Sequence, residues 1–243
     1  MKAYIRIKHT GEFYDTNCYN AYAGCEALHI PVVKYKAVYS ITDNDPMDPV
    51  IGTFSDVKVA LEKLGIKPAP LDYPEQLKSF IGRIWKSTLF TITSHPECWH
   101  VFVKPIEDVK RFHGTVLDKS EDLIKLGGGL EDIDVWCSVK VQFLSEWRLW
   151  VLNGTITGLT PYKGRWDVFP DPSVMEEAVH RYEGAPSAYA LDFGVTDDGR
   201  TLLVEVSDGY ALASFGLRPD IYMNILKTRW QELSKCRKTE NIE

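Results

Sequence analysis

The sequence has no apolar run approaching the roughly 18 residues that a membrane-spanning helix requires, so the 243-residue chain is not expected to cross a bilayer. Its start, Met-Lys-Ala-Tyr-Ile-Arg-Ile-Lys, lacks the long apolar stretch of a secretory leader. Cysteines are few and unpatterned: Cys18, Cys25, Cys98, Cys137 and Cys236 are five, with no Cys-x-x-Cys pair. Without a leader they read as reduced thiols of a cytoplasmic protein, not as a disulfide framework. Basic residues are in deficit, 28 against 34 acidic, for a net charge of −6. A groove tracking a nucleic-acid backbone usually shows the opposite balance, which counts against generic nucleic-acid binding but leaves room for a local basic site. No Gly-Lys-Ser/Thr follows Gly127-Gly128-Gly129, so this is not a phosphate-binding Walker loop. The stretch His95-Pro96-Glu97-Cys98-Trp99-His100 has irregular spacing and no second cluster to complete a zinc site. No Ser/His/Asp or Cys/His arrangement suggests nucleophilic catalysis.

What is present is ordinary globular material, 44% hydrophobic and 26% charged, long enough to bury a core. Ala3 to Lys8 and Pro31 to Tyr39 alternate as strands. Ser55 precedes Val57, Ala60, Leu61 and Leu64, an amphipathic helix that Gly65 stops. Pro74 suits the first turn of another helix with Leu77, Phe80 and Ile81. Val101-Phe102-Val103-Lys104 is a short apolar strand ended by Pro105. Ser120 caps a short helix that Gly127-Gly128-Gly129 ends. Val135 to Val151 is rich in β-branched and aromatic residues, and Asn153-Gly154 is a strong hairpin turn joining it to Thr155–Thr160. Asp171 and Pro172 start a helix with Val174, Ala178 and Tyr182 on one stripe. The strands Ala188–Val195 and Thr201–Ser207 follow, then a last helix from near Pro219. Helices interleaved with hairpins predict an α+β fold rather than a doubly wound parallel sheet.

The late hairpin holds the most chemistry. With Asp198-Gly199 as a two-residue turn, Asp197 faces Arg200 and, counting back, Asp192 faces Glu205. Ser207 shares the Glu205 face, while Leu191, Phe193, Val204 and Val206 form the opposite, core face. Two carboxylates about 5 Å apart repel by roughly 3 kcal/mol at an effective dielectric near 20. A divalent cation, a nearby Arg or Lys, or a retained proton would offset this; Mg²⁺ accepts one or two carboxylates with phosphate and water completing its shell. Both acids facing water, or a register slipped by one residue, is the alternative. Lys104 ends a buried run, where it either reaches solvent or holds a phosphate as a point charge. Arg148 shares a face with Glu146 and Trp150, where it pairs with Glu146, stacks on an aromatic ring, or grips a phosphate or carboxylate.

These segments together resemble an ATP-grasp enzyme, and more narrowly the small clade defined by one arginine and two lysines. The residues that carry the likeness are Val101–Pro105, Phe112-His113-Gly114-Thr115-Val116, Ser145–Gly154, Tyr162-Lys163-Gly164, Ala190–Val195 and Leu203–Gly209, over about residues 73–235. The resemblance implies two α+β lobes clasping ATP. Lys104 would contact the α- and β-phosphates, and the Gly114 loop would cover the triphosphate. The strand near Val139 to Val141 would pass the adenine, Arg148 would face the phosphates or an acyl phosphate, and Asp192 and Glu205 would hold Mg²⁺. It divides the chain into a small preceding α/β domain at 1–85, an N-terminal lobe at 86–143 and a C-terminal lobe at 144–243. Where the family usually continues Glu-x-Asn, this chain has Ser207 and then Asp208, so Asp208 either compensates as a metal ligand or metal affinity falls. The second lysine is Lys140, Lys86 or Lys163. The implied activity is an ATP- and Mg²⁺-dependent carboxylate–amine ligase, its acid and amine unnamed and a peptide or protein among the options. An ATP-binding module or a small-molecule kinase is the alternative. Asp192-Phe193-Gly194 also reads like the metal motif of protein kinases, but no His-Arg-Asp triplet precedes it.

Overall fold

The computed structural model describes residues 1–106, 112–126 and 131–240. Three sheets organise them. The first is parallel, with order β2-β1-β3, from β1 (Ala3–Arg6), β2 (Val32–Tyr35) and β3 (Val50–Ile51). Parallel neighbours need a crossover, and α1 (Thr16–Ala27) supplies the one between β1 and β2. Asp15 caps it by accepting from the Cys18 amide at 2.8 Å. This helix is absent from the sequence reading because its buried face, Cys18, Ala21, Gly24 and Cys25, is made of small residues that carry little apolar contrast. The helix expected near Ser55 is α2 (Phe54–Lys63); its cap is Thr53, closed reciprocally by Asp56, and Gly65 follows with φ 73°.

The second sheet is antiparallel, order β4-β7-β5-β6, from β4 (Ile84–Thr88), β5 (Val101–Pro105), β6 (Thr115–Leu117) and β7 (Asp134–Val139). Val101, Val103, Val135 and Cys137 face a core shared with Leu89 and Ile92 of α3 (Leu89–Ser94). Alternation then puts Lys86, Trp136 and Lys104 in one cross-strand row on the other face, and Ile84, Ser138 and Phe102 in the next. Residues Ser120–Leu126 form a 3-10 helix; its expected glycine stop, Gly127-Gly128-Gly129, lies outside the described residues.

The third sheet, order β11-β10-β8-β9, comprises β8 (Phe143–Leu152), β9 (Thr155–Gly164), β10 (Ala188–Thr196) and β11 (Thr201–Asp208). Asn153 and Gly154 join β8 to β9 with φ 49° and 73°, the left-handed pair that a tight hairpin demands. One face packs on α4 (Pro172–Arg181), capped by Asp171 as expected, and on Leu77 and Phe80. The segment after Pro74 is a 3-10 helix, Glu75–Phe80, rather than an α-helix. The other face packs Trp150, Ala188 and Ala190 against α1 and α5 (Pro219–Glu240). That core also takes in Ala3, Ile5 and Ile51 of the first sheet, and Trp230 of α5 joins a third core with Tyr4, Val57 and Leu61.

Candidate active site

A cleft of about 1230 Å³ is lined by Phe102, Lys104 and Ser138 of the second sheet, by Gly114 just before β6, and by Lys163, Glu205 and Ser207 of the third. Phe54, Lys58 and Leu61 of α2 also line it.

Lys104 is nearly buried, and the cleft supplies its counter-charges. Its Nζ lies 2.8 Å from Asp72 Oδ1 and 3.4 Å from Glu205 Oε2, 4.5 Å above the Tyr73 ring. Burial alone would pull its pKa down, but Tyr73, Glu205 and Asp72 outweigh it and the net direction is up, so the ammonium is retained. Lys104 thus lines the cleft instead of reaching open solvent.

Asp192 faces Glu205, as the hairpin count expects, but by another route. Val195 faces Thr201 and the Thr196 amide donates to the Arg200 carbonyl at 2.9 Å, so the turn has three residues, Asp197-Asp198-Gly199, with Gly199 at φ 82°. Asp197 therefore does not face Arg200. A β-bulge between Asp192 and Phe193 then makes Val204 the extra residue of β11, and the two offsets cancel at Asp192. Because of the bulge, Leu203 rather than Val204 joins Leu191, Phe193 and Val206 in the core.

The like-charge repulsion at this pair is answered by two cations. Arg148, opposite Asp192 on β8, donates from Nε and Nη2 to the two Asp192 oxygens, each at 2.7 Å. The pair is buried, Arg148 lying over the Phe215 ring at 4.9 Å. Burial pushes the Asp192 carboxyl up to about 6 against the pull of Arg148, and Glu205 and Glu146 push the same way. Arg148 does not pair with Glu146. That carboxylate is held instead by the Tyr162 hydroxyl at 2.9 Å and by Lys163. Ser207 Oγ donates to Glu205 Oε1 at 3.3 Å, within the cleft. Asp208 also lines the cleft, and Arg229 of α5 grips its carboxylate through two bonds of 2.6 and 2.7 Å.

The three candidate lysines part company. Lys163 lines the cleft on β9. Lys86 is exposed, its Nζ 4.9 Å from the Trp136 ring, in the row that holds Lys104. Lys140, in the link between β7 and β8, pairs with Asp118 at 2.6 Å. Val141 of the same link lines the cleft. Gly114 lies against Phe102, where an added Cβ would fall 2.4 Å from the ring, so a larger residue there would require the Phe102 ring to shift. Sequence reading missed Asp72, Tyr73 and Phe215, and it took Glu146 only as a partner for Arg148. Asp72 follows the Pro68-Ala69-Pro70 punctuation and has no local pattern that announces a partner on β5.

Residues 80–225 match the family described as ATP-grasp domain, R2K clade family 2. The chain belongs to this ATP-grasp family. No curated protein matches its sequence. Solved ATP-grasp folds do. N5-carboxyaminoimidazole synthetase from Staphylococcus aureus superposes with a TM-score of 0.60 at 11% identity, over 94% of this chain and 77% of that one. A RimK-domain ATP-grasp protein from Sphaerobacter thermophilus gives 0.58 at 14%, over 93% and 98%. D-alanine–D-alanine ligase from Bacillus anthracis gives 0.54 at 13%, over 99% of both chains. At these identities the likeness is one of fold, and the α+β architecture of this ATP-grasp protein agrees with it. Among the described residues no helix is long and apolar enough to cross a membrane, and no three His, Cys, Asp or Glu side chains are grouped to hold a metal.

Proposed function

We propose that this ATP-grasp protein is an ATP- and Mg²⁺-dependent ligase of the cytoplasm that joins a carboxylate to an amine through an acyl phosphate, releasing ADP. The observation that carries the reading is the Lys104–Glu205 contact of 3.4 Å across the cleft, with Asp192 directly opposite Glu205. It supports the reading because a lysine ammonium meets one member of a carboxylate pair in the cleft, the charges that a phosphate and a divalent cation would engage. Mg²⁺ fits the donor set: two carboxylates are what it takes from a protein when phosphates and water fill the remaining positions. When bound, the ion neutralises phosphate charge and orients the transferred group.

In this reading Lys104 holds the α- and β-phosphates, with Lys163, Lys86 or Lys140 as the second lysine. The Gly114 segment and Val141 border the nucleotide. Asp192 and Glu205 are the metal ligands, with Ser207 as a weaker third. Arg148, which holds both Asp192 oxygens, would be the residue to face the transferring phosphoryl group or the acyl phosphate once Asp192 served the metal. Catalysis is then positioning and charge neutralisation, with no side-chain nucleophile. Residues 1–85 would shape the acceptor site, with 86–143 and 144–243 as the two lobes. The acid and amine are unassigned, a peptide or protein among them.

A non-catalytic nucleotide-binding module is the second reading, favoured by Ser207 and by the hold of Arg148 on Asp192. The test is ADP release against pooled amino acids and peptides, with mass spectrometry of the products. Turnover lost in Glu205→Gln and Lys104→Ala, with melting behaviour unchanged, supports the ligase. Nucleotide binding without ADP release from any pool supports the module.

A further inference from the structure

We propose that Asp72 is a positioning residue for nucleotide binding: it fixes the Lys104 ammonium at the cleft wall and ties that lysine to the strand that carries Glu205. Asp72 belongs to none of the eleven strands, yet it touches three of them. Its Oδ1 is 2.8 Å from Lys104 Nζ on β5, and its Oδ2 accepts from Trp136 Nε1 on β7 at 3.2 Å. Its backbone carbonyl accepts from the Val206 amide on β11 at 3.1 Å, next to Glu205. One residue thus joins the sheet bearing the lysine to the sheet bearing the carboxylate pair. It does so at φ 39°, a left-handed conformation that Asp and Asn tolerate better than other side chains with a Cβ.

The proposal rests on the reading that Lys104 binds phosphate. A nearly buried ammonium without a fixed counter-charge is costly and leaves its site or loses its proton. Glu205 cannot be that fixed partner throughout the reaction. Its side chain is 39% exposed, and in the proposed function it turns to the divalent cation. Asp72 is 11% exposed and anchored by Trp136, so it stays with Lys104 when Glu205 leaves. The Tyr73 ring, edge-on to Trp136 at 5.3 Å, closes the other side of the ammonium. What Asp72 supplies is a lysine already aimed at the phosphate position before nucleotide arrives.

Calorimetric titration with ADP in the presence of Mg²⁺, which draws Glu205 away from Lys104, tests this on the full chain in four forms: wild type, Lys104→Ala, Asp72→Asn and the double variant. Asparagine keeps the side-chain size and the left-handed backbone while removing the charge; Asp72→Gly serves the same purpose should the first variant melt early. The expected result is that Lys104→Ala weakens ADP binding at least tenfold, Asp72→Asn about tenfold, and the double variant binds no more weakly than Lys104→Ala. Asp72→Asn binding as tightly as wild type, or tighter because a carboxylate near phosphate has gone, overturns the proposal. So does a loss that adds in full to that of Lys104→Ala, since a merely structural role shows no coupling to the lysine. If Lys104→Ala itself binds ADP normally, the phosphate role of Lys104 is wrong and the proposal falls with it.

Discussion

Arg148 and Asp192 show how much a single ion pair can decide. Both side chains are buried and make two parallel bonds, so each compensates much of the other's lost hydration. Arg148→Met is expected to cost about 3–5 kcal/mol of unfolding free energy, read by urea denaturation, because it strands a buried carboxylate. Arg148→Lys should recover little, since one ammonium cannot reproduce a planar two-bond contact. Asp122 gives a pH-dependent case at the same scale. Lys125 Nζ donates to it at 2.7 Å, and the Asp118 and Lys119 amides at 3.1 and 3.2 Å, which holds the carboxyl down to about 2. A carboxyl with a depressed folded-state pKa stabilises the fold above its unfolded value of about 4, and the contribution disappears as pH falls toward about 2. Asp122→Asn should therefore melt earlier than wild type at pH 7, and the gap should narrow steadily below pH 4.

Among the elements, α1 and α5 meet more closely than any side chain but glycine allows. A Cβ built on Gly24 would lie 2.1 Å from the Pro219 carbonyl oxygen and 2.6 Å from the Met223 Cβ. Gly24→Ala is expected to cost about 1–3 kcal/mol through overpacking, measured by thermal and chemical melts. The bulged hairpin of β10 and β11 carries a different lesson. Alternation and a turn signal were enough to bring Asp192 opposite Glu205 on paper, because the longer turn and the extra Val204 offset one another. Neither of those two features has a sequence signature that separates Asp197-Asp198-Gly199 as a three-residue loop from Asp198-Gly199 as a two-residue one. The Asn153-Gly154 turn and the Asp171 cap were fully legible because each depends on two or three adjacent residues.

The whole molecule does not divide where its strands change direction. Tyr222, Met223, Ile225, Leu226 and Trp230 of α5 are buried, and they pack in cores shared with Ala3, Ile5, Tyr4 and Val57. Removing residues 1–71 should therefore leave a chain that exposes this apolar stripe, binds a hydrophobic dye and loses its cooperative melt. A soluble fragment with a sharp transition would show that the first sheet is an independent unit. The second sheet, by contrast, has a core of its own around Val103, Leu117 and Val135.

The sequence by itself determined the acidic hairpin, the strand that ends in Lys104, the Arg148 strand and the tight turn at Asn153-Gly154, since each is written in short-range alternation, capping or turn chemistry. It could not determine that Arg229 takes Asp208, that Lys163 rather than Arg148 sits on Glu146, or that Asp72 meets Lys104. Those pairings join residues far apart along the chain, and the sign of a charge names no partner until packing removes water and leaves one counter-charge within reach. Only the packing of the sheets, the helices and the segment before β4 against one another decided them.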